Sequence, residues 1–260
     1  MRLDSRTVTY RPKTVSGRKV VAALAILAGS VVGGLVLYKQ RPQMKTLPFV
    51  LKTDTGTMYL VPAGATLHGA DNTPAVVPAF YIDQTEVTNG AYSRFCQETG
   101  HPLPPDFLSD RPGDPVVNVT IADATSFAKW AGKRLPDPIE WEKAARGSRG
   151  GKYPWGDAAD PRRANVRDNP DLRGERALPA DSMPQHASPS RALHMVGNVA
   201  EYVRIPVPPP DGSGGEPWYT VRGGSFRRTL AESAPWIPLP VPMSYRAADV
   251  GFRCAKDPPR

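Results

Sequence analysis

The segment 121–146 limits the fold more than any other part of the chain, because it predicts two short helices joined by a tight turn. The first begins near residues 121–123, and Gly132 ends it, since glycine readily takes the left-handed conformation that follows a helix. Pro138 opens the second helix, where a missing N–H leaves no hydrogen bond unmade. The inward faces consist of small and aromatic side chains: Ala124, Phe127, Ala128 and Ala131, then Trp141 and Ala145.

The remaining pattern predicts an α+β fold with few short strands and long loops. Thirty prolines and 23 glycines favour many turns and little regular structure. Thr88 can cap a helix over residues 89–99 that Gly100 ends. Strands are expected at 58–61, 79–82 and 249–255, and loops or proline-stiffened stretches at 158–190, 206–217 and 234–242.

Residues 20–38 carry no charged side chain and approach the ~20 residues that cross a bilayer. They predict a transmembrane anchor, with a cleaved signal peptide as the alternative. Six Lys/Arg precede the run and three follow it closely, which favours a cytoplasmic N-terminus. The expected organisation is a basic cytoplasmic tail (1–19), an anchor in an inner membrane of bacterial type (20–38), a tether (39–47) and a periplasmic domain (48–257).

The net charge of +8 belongs to the N-terminal part of the chain. Nine of the 33 Lys/Arg and one of the 25 Asp/Glu precede Thr46, which leaves 24 of each sign for the domain. A domain without net charge argues against nucleic acid as its partner.

The chain has two cysteines, Cys96 and Cys254. On the oxidising side of a membrane such a pair predicts a disulfide, and two buried free thiols are the alternative.

Familiar catalytic patterns are missing from the sequence. None of the four histidines stands in an HxH or HExxH pattern, no CxxC pair occurs, and there is neither a G-x-S-x-G elbow nor a phosphate loop. The residue types alone therefore indicate no catalytic set and no zinc or iron site.

Seven blocks in a fixed order resemble the formylglycine-generating enzyme, or sulfatase-modifying factor, family. They are MYLVPAG (58–64), FYIDQTEVTNGAYSRF (80–95), the segment 115–147, YPWGD (153–157), GNVAEY (197–202), RGGSF (222–226) and GFRCA (251–255). The resemblance covers most of residues 58–257 and implies the irregular C-type-lectin-like α+β fold of that family.

The resemblance also implies what has been lost. In the family's enzymes two cysteines after the Gly-Gly-Ser block bind copper and, with O₂, oxidise a substrate cysteine to formylglycine. Their positions fall at Arg228 and Ser233. A soft Cu(I) ion needs thiolates, so no copper and no catalytic residue are expected. The family's structural cysteine matches Cys254, while its usual partner falls at Ala128, and Tyr202 replaces a tryptophan of the active-site region.

Two structural calcium sites are implied in the same way. Asn165, Val166 and Asp171 resemble one site, and Gly197, Val199 and Glu201 resemble the other. Carbonyl and carboxylate oxygens suit Ca²⁺, although His194 stands where the second site usually has Asn or Asp.

A binding surface is expected where relatives have their cleft. Its candidates are Arg227, Arg228, Trp236, Tyr245 and Arg246, because Arg and Trp are enriched at binding hot spots. The alternative is that Trp236 packs beneath a proline-rich loop and the arginines are solvated.

The leading hypothesis is an anchored, non-catalytic member of this family that binds membrane-protein partners as a subunit of an assembly. Retained fold blocks, lost copper ligands and proline-rich loops motivate it, as does the Gly29/Gly33 spacing, which can let another helix approach. The alternatives are an oxidoreductase of the formylglycine-generating type or a relative with altered chemistry, and carbohydrate or peptide binding through the lectin-like cleft.

Overall fold

The computed structural model describes residues 47–172, 174–210, 212 and 215–259. The predicted tail (1–19), anchor (20–38) and nearly all of the tether (39–47) lie outside these residues. Within them, no helix combines the length and apolar character needed to cross a membrane.

Three helices are present: α1 (Asn89–Thr99), α2 (Ile121–Trp130) and α3 (Pro138–Arg146). Each follows the local signals that predicted it. The Thr88 side chain accepts the Ala91 N–H at the start of α1, and Gly100 ends that helix with φ 73°. Gly132 (φ 63°) ends α2 in a Schellman turn. Its N–H donates to the Lys129 carbonyl, and the Lys133 N–H donates to the Ala128 carbonyl. The three predicted helices are confirmed.

The described residues contain ten short strands: β1 (Val50–Thr53), β2 (Gly56–Val61), β3 (Gly64–His68), β4 (Thr73–Val77), β5 (Phe80–Asp83), β6 (Ala200–Val207), β7 (Trp218–Arg222), β8 (Leu239–Pro242), β9 (Val250–Gly251) and β10 (Ala255–Lys256). One sheet has the order β1-β2-β5-β10 and another β8-β7-β6-β9, while β3 and β4 pair by themselves. Strands β2 and β5 confirm two sequence predictions.

The predicted closing strand at 249–255 is divided between the two larger sheets. Its first part, β9, runs parallel to β6, and its continuation, β10, runs antiparallel to β5. The turn between them keeps Phe252, Arg253 and Cys254 fully buried. The segment therefore connects the sheets and delivers one arginine to the interior between them.

The proline-rich segments follow the second sheet. Pro206 lies in β6, and the chain from there to Pro217 leads back into β7. Within 234–242, residues Leu239–Pro242 form β8, at the edge of the sheet. This position suits proline, which cannot donate a ladder hydrogen bond.

An aromatic cluster joins α1 and α2 to the sheets. The rings of Tyr92 and Phe127 stack with centroids 5.8 Å apart, and Phe127 meets Phe252 edge to face at 5.4 Å. A second cluster surrounds Trp141 of α3, which is fully buried against Phe80 and Ile82 of β5 and their neighbours. Burial of such side chains supplies most of the stability of a domain.

The expected disulfide is wrong: Cys96 and Cys254 are both free, buried thiols. The Cys96 thiol points to the Pro102 carbonyl, 3.7 Å away. Cys254 lies beside the Asp83 carboxylate, and burial raises the pKa of its thiol well above the usual value. Both side chains act as small core residues, which is the alternative stated for them.

Candidate functional site

A buried ion pair joins Glu201 of β6 to Arg253 of the turn between β9 and β10. Arg253 binds both oxygens of the Glu201 carboxylate at 2.6 Å, and the Trp141 indole N–H donates to Oε2 at 2.7 Å. All three side chains are inaccessible to solvent. Burial raises the pKa of Glu201, and the Arg253 guanidinium opposes that shift. The pair holds β6, α3 and the β9–β10 turn together.

A second buried carboxylate, Glu86, is only half satisfied. Its Oε1 accepts the Asn198 side-chain N–H at 2.9 Å, whereas Oε2 has no hydrogen-bond partner among the described residues. Burial raises the pKa of Glu86 from 4.5 to about 7, against the attraction of Arg253. The pKa of His194, which lies near Arg253 and Glu201, is shifted in the opposite direction, because burial lowers it to about 4. Both groups are therefore held toward their neutral forms.

The Gly-Gly-Ser turn after β7 lies next to Arg228 and Ser233, the two positions at which the family resemblance implies cysteines. Gly224 has φ 63°, and a Cβ there would lie 2.2 Å from the Ser233 hydroxyl oxygen. Ser233 itself is fully buried and donates its hydroxyl to the Thr229 carbonyl at 2.8 Å. Only glycine permits this close approach of the turn to the short 3-10 helix Ala231–Ser233.

Ser225, the last residue of the turn, is fixed by an acidic neighbour. Its hydroxyl donates to Asp249 Oδ2 at 2.6 Å and accepts the Arg227 backbone N–H at 3.2 Å. The turn thereby directs the Arg227 and Arg228 side chains outward, and both are exposed.

A cavity of about 400 Å³ opens in front of this turn. Its walls combine apolar residues of the β8-β7-β6-β9 sheet and the segment before β8 with a polar side, where Ser225, Arg228, Glu232 and Asp249 lie. The apolar wall is made chiefly of Ala200, Val221, Ile237, Pro238, Leu239 and Val250. The arrangement can accept a ligand that has an apolar part and a charged part.

The expected binding residues divide into three groups. Arg228 and Tyr245 line the cavity, and Arg227 lies beside it, 4.0 Å from Asp249. Trp236 contributes to a different cluster, because it packs against Tyr153 and the Arg146 guanidinium lies 5.0 Å from its ring centroid. Arg246 is exposed and is not part of the lining.

Copper does not fit this cavity. The two cysteines of the sequence are core residues, and the positions expected for the ligands carry a guanidinium and a hydroxyl that already donates to a carbonyl. Neither group supplies the thiolate sulfur that Cu(I) requires.

The residues of the two expected calcium sites do not all present free oxygen atoms at one place. Asn165 and Gly197 form a parallel bridge, so the backbones of the two expected sites adjoin. The Glu201 carboxylate does not fit a cation, because both of its oxygens accept N–H groups of Arg253 and Trp141. Asp171 is 68% exposed and lies 3.7 Å from Arg162. The described residues hold no cluster of three His, Cys, Asp or Glu side chains suited to a metal.

The two carbonyl oxygens expected in the first calcium site each already accept one backbone hydrogen bond. Asn165 O accepts the Asn198 N–H at 2.8 Å, and Val166 O accepts the Asn169 N–H at 3.1 Å. Val199, expected in the second site, is fully buried. Calcium at Asn165 and Val166 stays a prediction.

Sequence reasoning did not single out Glu86, Asn198, Arg253, Asp249 or Glu232. The first three lie inside blocks that carry the family resemblance, so a polar or ionisable residue within an otherwise buried block was the available signal. Asp249 and Glu232 stand outside those blocks, and only the folded chain places them beside the Gly-Gly-Ser turn.

The domain type described as sulfatase-modifying factor enzyme 1-like matches residues 44–258. The chain is 28% identical over 253 residues to the formylglycine-generating enzyme of Streptomyces coelicolor, a match that covers 68% of this chain and 78% of the relative. It is 32% identical over 203 residues to hercynine oxygenase of Mycolicibacterium smegmatis, covering 59% of this chain and 46% of that protein. The chain thus spans less than half the length of the oxygenase.

A solved structure shares the architecture. PvdO from Pseudomonas aeruginosa superposes with a TM-score of 0.66 at 23% identity, over 82% of this chain and 99% of PvdO. This likeness concerns the fold alone, and it confirms the expected irregular, lectin-like α+β class. The matched domain type, the ordered sequence blocks and the shared architecture show that the chain belongs to the formylglycine-generating enzyme, or sulfatase-modifying factor, family.

Proposed function

We propose that this chain is a non-catalytic binding subunit of a membrane assembly, anchored by residues 20–38 with its domain on the periplasmic side. The observation that carries the proposal is the cavity at the Gly-Gly-Ser turn. It has about 400 Å³ of space and a largely apolar wall, yet Arg228 and Ser233 occupy the positions expected for copper-binding cysteines.

The chemistry of these two replacements favours binding over oxidation. The Arg228 guanidinium is a permanent cation, which repels a copper ion and attracts a carboxylate. Ser233 is buried against Gly224, so its oxygen faces the protein backbone instead of the cavity. A cavity that keeps its shape and exchanges metal ligands for a hydrogen-bond donor is suited to holding a partner.

Exposed apolar residues beside the cavity support a protein as the partner. Ile237 and Leu239 line the cavity and are each at least 40% exposed. Exposed apolar surface next to a cavity often marks an interaction site.

The experiment is purification of the full-length chain in mild detergent, followed by size-exclusion chromatography and mass spectrometry. We expect a partner to elute with the chain, and Ile237→Asp to release it. The matched control is Val76→Asp, which places the same charge at an exposed apolar position of β4 outside the cavity lining.

Two results would contradict the proposal. One is a strictly monomeric profile in several mild detergents. The other is conversion of a cysteine peptide to formylglycine by the purified chain supplied with copper and O₂.

A further inference from the structure

The charges at the mouth of the cavity indicate what kind of partner it takes. Arg227 and Arg228 are 56% and 49% exposed, and their nearest carboxylate oxygens lie 4.0 Å and 3.9 Å away. Both distances exceed the range of a hydrogen bond. In the described part of the chain, neither guanidinium donates a side-chain hydrogen bond, so both retain N–H donors directed to solvent.

Each neighbouring carboxylate, in contrast, has one oxygen already engaged in hydrogen bonds, and only the other oxygen faces an arginine. Glu232 Oε2 accepts the backbone N–H and the hydroxyl of Thr229, each at 2.8 Å. Asp249 Oδ2 accepts the Ser225 hydroxyl. The mouth of the cavity therefore offers donors in excess of acceptors, and it suits a ligand carboxylate.

Two exposed apolar side chains stand at the start of β8 and directly after its end: Leu239 lines the cavity, and Met243 lies outside that lining. Leu239 and Met243 are each about 40% exposed and stand roughly 13 Å apart at the rise of an extended chain. Two exposed apolar side chains at this spacing favour an extended segment over a compact small molecule.

The outer edge of β8 determines how such a segment can bind. The Met243 N–H donates toward β7, to Pro217 O at 2.9 Å. Because N–H directions alternate along a strand, the outward positions are 240 and 242, and both are proline. The edge has no outward donors there, so a partner cannot extend the sheet as a regular strand. Recognition must therefore come largely from side chains.

We propose that the cavity binds an acidic peptide segment of a partner protein. An apolar side chain enters beside Ile237 and Leu239, and an adjacent Asp or Glu reaches Arg227 and Arg228. This inference rests on the proposed function, since it specifies the partner of the same cavity.

The test measures binding of fluorescent peptides to the full-length chain in detergent by anisotropy. Three peptides of equal length are used: a central Leu pair flanked by Glu, the same pair flanked by Lys, and a central Ser pair flanked by Glu. We expect the first to bind at least ~10-fold more tightly than the other two, with affinity that falls as salt rises.

Variants locate the contact. Arg228→Glu should lower the affinity for the first peptide at least ~5-fold, and Arg228→Gln should lower that affinity less. Arg162→Glu, a reversal at another exposed arginine outside the lining, should leave it unchanged. Unchanged melting temperatures show that the variants are folded.

The proposal is overturned by equal binding of the Glu- and Lys-flanked peptides, by equal effects of the Arg228 and Arg162 variants, or by no binding of any peptide. If a partner still co-purifies with the full-length chain in those cases, the proposed function stands and only the acidic peptide is excluded. If no partner co-purifies either, both proposals fail.

Discussion

Replacing Glu86 with Gln should reduce the loss of folding stability that the protein undergoes as the pH rises from 5 to 8. Glu86 is buried, its Oε2 lacks a partner among the described residues, and burial raises its pKa from 4.5 to about 7. Glutamine keeps an oxygen that can accept the Asn198 N–H and cannot ionise. The substitution therefore removes one titration while changing little of the side-chain shape.

The sign of the effect follows from proton binding. Between pH 4.5 and about 7 the unfolded chain loses the Glu86 proton while the folded protein keeps it. Stability is therefore highest below the unfolded pKa and falls as pH rises, by at most ~1.4 kcal/mol per unit. It levels off above the folded pKa. From pH 5 to pH 8 the loss amounts to roughly 2–3 kcal/mol, and Glu86→Gln should escape it.

The assay is urea unfolding of the full-length chain, followed by tryptophan fluorescence at pH 5, 6, 7 and 8. All five tryptophans lie between residues 130 and 236, so the signal reports on the domain. The difference between variant and wild type removes the pH dependence that other groups contribute to both. Glu175→Gln, at an exposed position outside the helices, is the matched control and should follow the wild type.

If the free energy of unfolding changed with pH in the same way for wild type and Glu86→Gln, this reasoning would be refuted. They would mean that Glu86 titrates alike in the folded and unfolded states, and that its burial is compensated by contacts other than the single Asn198 hydrogen bond.

Four further outcomes are expected. Gly224→Ala should cost at least ~2 kcal/mol, because its Cβ would meet Ser233 at 2.2 Å. Gly69→Ala, at a similar φ with nothing within 4 Å, should cost less in the same melts. Lys133→Met should lower the free energy of unfolding by ~3–5 kcal/mol in urea, since it leaves the buried Asp83 carboxylate without the ammonium 2.6 Å away. Wild-type stability in this variant would show that the buried Asp83–Lys133 ion pair is not formed. An alkylating reagent without reductant should label both thiols in denaturant and neither quickly in the native state, as intact mass will show. If calcium binds the folded chain, a chelator should lower the melting temperature, and an unchanged value excludes both predicted sites.

Local sequence signals were sufficient for the helices. Thr88, Gly100, Gly132 and Pro138 act within one turn of the residues whose conformation they determine, so the ends of α1 and α2 and the start of α3 could be read directly. The short strands β1, β3, β4, β6 and β7 were not predicted, because their pairing depends on partners supplied by other parts of the chain.

The disulfide was predicted wrongly for a related reason. Counting cysteines indicates how many bridges are available, but only the packing decides whether two thiols face each other. Here one thiol points to a nearby carbonyl and the other lies in the Asp83–Lys133 environment.

The sequence by itself determined the family, the three helices, the candidate membrane anchor and the absence of cysteine at positions 228 and 233, because each is a property of residue types in a given order. Only the tertiary structure decided which buried polar and charged groups meet. Glu86 and Asn198 are 112 positions apart, and Glu201 and Arg253 are 52 apart. It also decided that Arg228 faces a cavity while Ser233 faces the backbone, although the family resemblance implies the same role for both positions. Burial and long-range contact arise from the packing of the whole chain, and no local pattern contains them.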